Sequence, residues 1–120
     1  MSTKFSVGRD LISIEDVVVR VGEQAVIKTG YYMKDVPANY FGLVKERSSI
    51  ARKGGFCIGG VIDADYKDEI VVVMTSLFET FKINAGDRVA QLLLIPYLMR
   101  SVEEIDVLPD RNGGFGSTGK

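Results

Sequence analysis

Among its 120 residues this chain has no histidine at all and a single cysteine. Without imidazole there is no histidine general base, no Ser-His-Asp or Cys-His nucleophile pair, and little scope for a zinc site. Cys57 alone makes neither an internal disulfide nor a cysteine-rich metal site. Set within Phe56-Cys57-Ile58, it reads as a core residue rather than a nucleophile. An excess of either charge is also missing. The formal net charge is −1, so no strong global field draws the chain to DNA or to a membrane. Long hydrophobic runs are absent too: the longest, Leu92 to Pro96, is far too short to span a bilayer, and the first ten residues, MSTKFSVGRD, lack the apolar run of a signal peptide. The expectation is a soluble chain, cytoplasmic or, if viral, intracellular in its host. Any catalysis must run on carboxylates, Lys, Arg, Tyr, hydroxyls or a bound hard cation.

What is present has the periodicity of strands. Asp16–Arg20, Gln24–Thr29, Tyr40–Lys45, Glu69–Thr75 and Arg88–Pro96 are short and rich in β-branched or aromatic residues. Turn residues punctuate them at Val21–Gln24, Asp35–Asn39 and Asn84–Asp87. The one helical hint is Ser48–Lys53, a single turn with a serine at its start. Short strands at this spacing predict one all-β domain, a sandwich or jelly roll. The runs Val71–Val73, Leu77-Phe78 and Leu92–Ile95 are continuous rather than alternating. Strands buried on both faces read this way, and in a small sandwich the second face predicts another subunit.

Four stretches can carry chemistry. In KERSSIARKG, Arg47, Ser48 and Ser49 fall where a strand gives way to the helical turn. Free N–H groups, two hydroxyls and a forked cation make a phosphate seat, or else an ordinary turn with a solvated arginine. In GGVIDADYKDEI, Gly59 and Gly60 let a flat ring approach the backbone, Asp63 follows apolar residues whose burial would raise its basicity, and Tyr66 offers a flat face. The alternative is a hairpin with Asp and Tyr at its rim. In AGDRVAQLLL, Gln91 lies between apolar neighbours as an amide needing a partner, structural or ligand. The fourth is the closing RNGGFGSTGK. Its Gly114 to Lys120 spacing is nearly that of a P-loop, but no Ser or Thr follows Lys120 and no strand-to-helix context surrounds it. It reads as a glycine-rich tail, or as a mobile arm that closes over a phosphate elsewhere.

Taken in order, these stretches gain meaning. Val7-Gly8-Arg9-Asp10-Leu11, Lys28-Thr29-Gly30, Arg47-Ser48-Ser49-Ile50-Ala51, Gly60-Val61-Ile62-Asp63-Ala64-Asp65-Tyr66, Gly86-Asp87-Arg88-Val89-Ala90-Gln91-Leu92 and Gly113-Gly114-Phe115-Gly116-Ser117-Thr118-Gly119 together resemble the five-motif pattern of the homotrimeric deoxyuridine triphosphatases. The resemblance runs from about Gly8 to Gly119. It implies a distorted jelly-roll sandwich or barrel over residues 1–109, with at most one short helical turn, and a mobile arm over 110–120. It also implies a homotrimer with shared active sites that hydrolyses dUTP to dUMP and pyrophosphate with Mg2+.

By the same resemblance, Asp63 is the general base for water attacking the α-phosphate. Tyr66 packs on the deoxyribose and excludes a 2′-hydroxyl. The backbone of Ile58, Gly59, Gly60, Val61 and Ile62 reads uracil. Arg47, Ser48 and Ser49 bind phosphates, Gln91 contacts the α-phosphate region, and Asp10 holds magnesium through waters. A neighbour's arm brings Phe115 onto the uracil, Gly116, Ser117 and Thr118 to the γ-phosphate, and Arg111 to the phosphate charge. The pattern departs from the family in three places: Arg111 to Phe115 and Lys53 to Asp63 are each about one residue short, and Asp68 stands where glycine is common. Two alternatives share the scaffold. A dCTP deaminase needs an acidic base further along the strand that Glu69 opens, and a nucleotide-gated regulatory protein would use the arm as its switch.

Overall fold

The computed structural model describes residues 8–99. Arg111, Phe115, Gly116, Ser117 and Thr118 lie outside them. Among the described residues there are nine strands and one short helix: β1 (Arg9–Ile12), β2 (Val17–Val19), β3 (Ala25–Tyr31), β4 (Tyr40–Glu46), α1 (Ser48–Arg52), β5 (Gly55–Cys57), β6 (Val61–Ile62), β7 (Ile70–Ser76), β8 (Phe81–Ile83) and β9 (Arg88–Pro96). The fold is all-β of jelly-roll type. No barrel closes: the strands form a four-stranded sheet β1-β9-β4-β6, a three-stranded sheet β3-β7-β5 and a ribbon β2-β8. No described helix is long and apolar enough to cross a membrane.

The expected strands appear as β2, β3, β4, β7 and β9, with ends shifted by a residue or so. β1, β5, β6 and β8 carry too few residues each for their alternation to stand out. Alternation sets the register of the rest. β3 buries Ala25, Ile27 and Thr29, and antiparallel pairing puts Ala25 opposite Met74 and Ile27 opposite Val72, so both strands turn the same face inward. Leu11, Val19, Val89 and Leu92 complete the core from the other strands. Every described buried side-chain N or O atom has a hydrogen-bond partner. Thr29, for example, donates its hydroxyl to the Ile70 carbonyl at 2.5 Å.

The three continuous apolar runs divide: two lie in strands whose second face one chain leaves partly open, and the third lies in no strand. Val71 and Val73 are half-buried and face away from Val72. Leu77 and Phe78 belong to no strand; they form the bend after β7 and are 63% and 74% exposed. In β9, Leu92 is buried but Leu94 is 48% exposed. A single chain therefore leaves the second apolar faces uncovered.

The cleft described below depends on how β5 passes into β6. β5 is held on β7 in one sheet, and β6 on β4 in the other, so residues 58–60 cross between sheets. The Ile58 N–H donates to the Val73 carbonyl, and the Val44 N–H donates to the Gly60 carbonyl, both at 2.8 Å. So short a crossing requires left-handed backbone at Gly59 (φ 72°) and Gly60 (φ 91°). A Cβ on Gly60 would stand 2.9 Å from the Val44 carbonyl oxygen, whereas one on Gly59 would meet nothing within 4 Å. Gly60→Ala should thus cost about 2–3 kcal/mol and Gly59→Ala only about 1 kcal/mol. Urea denaturation at matched protein concentration checks the order of the two.

Candidate functional site

Two clefts contain most of the described residues singled out from the sequence; Asp10, Ser48, Gly59 and Gln91 line neither. The first, of about 320 Å³, lies beneath the crossing segment. That volume falls within the range of small-molecule sites. Val44, Ile70, Val71 and Val73 supply apolar lining from β4 and β7; Ile58, Gly60, Val61 and Ile62 line it from the crossing and β6; Asp63, Asp65 and Tyr66 follow on the next turn. The Tyr66 N–H donates to the Asp63 carbonyl at 3.1 Å, which tightens that turn and sets carboxylate and ring against the same cavity. Tyr66 is oriented further by its hydroxyl, which donates to the Glu69 carbonyl at 2.9 Å. Glu69 in turn accepts from the Gly30 N–H at 2.8 Å, giving the Lys28–Gly30 stretch a role in bracing the turn.

The crossing segment spends part of its main chain internally. The Ile58 N–H and the Gly60 carbonyl are bonded to Val73 and Val44, while the Ile58 and Gly59 carbonyls and the Gly59 and Gly60 N–H groups take no part in those two bonds. That leaves both donors and acceptors on the segment. Asp63 itself is exposed, and so is Val61, at 67%. The burial expected around this carboxylate is therefore not supplied within one chain.

The second cleft, also about 320 Å³, is cationic. Arg47, Lys53, Lys82 and Arg88 line it against one carboxylate, Asp87, and Ser49 contributes its hydroxyl. Asp87 is turned to its own turn, accepting from the Asn84 N–H at 2.8 Å. Arg47 is the N-cap residue of α1 in extended conformation, and no side chain caps the helix. The serine cap expected at this point is therefore absent, and Ser48 and Ser49 are both exposed. Over five residues the helix dipole is small. Hydroxyls, free N–H groups and guanidinium remain as the means of holding an anion. The Arg47 guanidinium makes a long 3.5 Å contact to the Arg88 carbonyl, which aims it along the start of β9.

Beside this cleft, β9 places Gln91 directly opposite Asp10 of β1 and Lys45 of β4. Gln91 is half-buried rather than fully buried as its apolar neighbours suggested. Asp10 is ion-paired with Arg88 at 3.6 Å. The described residues contain no group of three or more His, Cys, Asp or Glu able to cage a metal. The single Asp10 carboxylate suits only an ion that keeps its waters and arrives on phosphates.

Sequence reasoning missed Arg88, Lys53 and Lys82 as cleft residues, although Arg88 lies in the same stretch as Gln91. It also missed Glu46, which reads as one more charge in Lys-Glu-Arg. In the fold its side chain is only 17% exposed, and its Oε1 accepts the Cys57 N–H at 3.1 Å. Burial by itself would raise this carboxyl, but backbone N–H donation from Glu46 and Cys57, together with the Lys45 ammonium, brings it below the usual range. Cys57 answers in the opposite sense: burial, then the adjacent Glu46 charge, pushes its thiol up to about 12. The thiol is therefore protonated at neutral pH. Iodoacetamide at pH 8 should modify native Cys57 at least about a hundredfold more slowly than the urea-unfolded chain, as followed by intact mass.

Asp63 and Tyr66 thus share one cleft, Arg47 and Ser49 another, and within one chain the two have no lining residue in common. The profile of the dUTPase family matches residues 1–119. The deoxyuridine 5'-triphosphate nucleotidohydrolase of Nautilia profundicola is 38% identical over 98% of this chain and 87% of its own length. Among solved structures, the native EIAV dUTPase superposes with a TM-score of 0.79 at 30% identity, covering 93% of this chain and 90% of that one. The dUTPase of phage phi11 of S. aureus, described with a structural Mg(II) ion, does so with 0.75 at 25% identity, covering 92% and 90%. The motif order, the jelly-roll sheets and these relationships agree, and the chain belongs to the dUTPase family.

Proposed function

We propose that this chain hydrolyses dUTP to dUMP and pyrophosphate at sites assembled between copies of itself, as a homotrimer. The observation that carries the reading is the division of labour within one chain. An apolar, carboxylate-bearing cleft suits a nucleobase and its sugar, a cationic cleft suits a triphosphate, and the two are lined by different residues. One nucleotide needs both, and a second copy can bring its cationic cleft to the first copy's apolar one. Exposed apolar residues at the end of β9 and just beyond it, Leu94, Leu98 and Met99, favour the same association.

In this mechanism uracil enters the first cleft, where the Ile58–Ile62 main chain reads its edge. Tyr66, held by Glu69, packs on the deoxyribose and leaves no room for a 2′-hydroxyl. Arg47, Ser48 and Ser49 of another copy hold the phosphates, and Gln91 contacts the α-phosphate region. Asp63 takes a proton from water as the water oxygen bonds to the α-phosphorus. The bond from that phosphorus to the bridging oxygen breaks, and pyrophosphate leaves with the electron pair. In a chain without histidine a carboxylate is the principal base available for this step. Closure over the nucleotide both excludes water from the phosphates and surrounds a carboxylate that is exposed in the single chain. Magnesium, when bound, neutralises triphosphate charge, and Asp10 would meet it through waters. The arm residues Arg111, Phe115, Gly116, Ser117 and Thr118 would complete the enclosure from a neighbouring copy.

Two measurements test this reading. Asp63→Asn should lower kcat for dUTP by about 10²–10⁴-fold while still binding a non-hydrolysable analogue; unchanged turnover removes Asp63 from the role. Co-assembled Asp63→Asn and Arg47→Ala chains should regain activity that neither variant has alone, because mixed trimers form some sites with both residues intact. No recovery, or a monomeric mass in solution, overturns the shared site.

A further inference from the structure

The crossing segment is anchored at three main-chain points, and only one of them depends on a side chain. The bonds of Ile58 to Val73 and Gly60 to Val44 are backbone to backbone and survive any substitution that keeps the sheets. The third is the Cys57 N–H. Because the Ile58 N–H points toward β7, the preceding N–H points away from it, off the edge of the β3-β7-β5 sheet. A half-buried edge donor of this kind is costly unless it is met. It is met by Glu46 Oε1, from the end of β4 in the other sheet. The other carboxylate oxygen faces Lys45 Nζ at 3.5 Å, so the side chain is held from two sides.

From this geometry we infer that Glu46 is a positioning residue for base selection: it fixes the start of the crossing segment so that the free main-chain groups of residues 58–60 stand at one height above the cleft. The inference rests on the proposed function, in which those groups read uracil. Cys57 and Gly60 lie only three residues apart, and selecting against a methyl group at the ring edge depends on displacements of a fraction of an ångström. Losing one of three anchors at the start of the segment widens the range of positions its donors can take. Glu46 also precedes Arg47, the first residue of the phosphate-binding turn. One side chain therefore joins the base-reading element to the strand end that carries the phosphate seat.

The test compares Glu46→Ala, Glu46→Gln and Glu46→Asp in the full-length enzyme, reading kcat/KM for dUTP against dTTP and dCTP. Glu46→Ala should lower the preference for dUTP about tenfold, the effect of one charge-assisted hydrogen bond. Glu46→Gln keeps an acceptor oxygen at the same reach and should restore the preference to within about threefold of wild type. Glu46→Asp, with its oxygen withdrawn by one methylene, should behave like Glu46→Ala, and it serves if the alanine variant does not fold. Backbone amide exchange at Cys57, read by NMR without substrate, should quicken in the Ala and Asp variants and not in Gln. Wild-type preference in folded Glu46→Ala or Glu46→Asp overturns the inference, as does equal loss in all three. Should the wild-type chain not hydrolyse dUTP, the proposed function falls, and the exchange rates alone decide whether Glu46 orders the segment.

Discussion

The site rests on one crossing: a chain that leaves the edge of one sheet at Cys57 and joins the other at Val61. A segment this short cannot satisfy its own backbone, so each sheet must offer it a partner. Val73 does so from one side and Val44 from the other. The approach to Val44 is so close that a side chain at position 60 would strike its carbonyl. Those requirements dictate glycine, a tight turn and a cavity beneath it, with valines and isoleucine as the lining. The same requirements leave the Gly59 N–H and carbonyl outside the two bonds that tie the crossing to the sheets. In the proposed function, selectivity by main chain would follow from spanning two sheets with too few residues.

A second constraint is electrostatic. Carboxylates in the first cleft and cations in the second would largely neutralise one another if they met within one chain, and neither would be left for substrate. Keeping Asp63 and Arg47 in separate clefts preserves both. In the proposed function, association of copies would bring a base and a triphosphate seat together, with the nucleotide supplying the negative charge that the cations lack. The same separation explains why the chain can have a net charge of −1 and still present a strongly cationic surface locally.

Much of the fold was legible because β-branched and aromatic residues gather in the longer strands and turn residues separate them. Burial alternates along the whole of β3 and β7, although the apolar run Val71–Val73 hides it in the sequence, and along β9 from Ala90 to Leu93. Apart from β2, the strands of two to four residues were not legible, since a pattern of period two needs more than one repeat to be seen. Leu77 and Phe78 misled for the opposite reason: two adjacent apolar residues look like core, but the bend after β7 turns both outward. At the site, Asp63, Tyr66, Arg47 and Ser49 were recognisable by type and spacing, and the fold puts each beside a cleft. The burial expected around Asp63 and the full burial expected of Gln91 did not follow, because Ala90 and Leu92 lie on the face of β9 opposite to Gln91, and Asp63 lies on the turn beyond the end of β6.

The sequence by itself determined the chemistry on offer and the period of the strands. Having no histidine and only one cysteine limits the catalytic groups wherever they lie, and hydrophobic alternation is a property of neighbours one and two residues apart. Only the tertiary structure decided which of these groups face a common space. Glu46 is the clearest case: next to Lys45 and Arg47 it is one charge in a solvated run, yet across eleven residues it closes the open edge of another sheet. Nothing local distinguishes it, because its partner is a backbone N–H, and any residue except proline would present one there. The separation of the two clefts is likewise invisible along the chain, since it follows from how two sheets are stacked, and stacking depends on contacts between residues far apart in sequence.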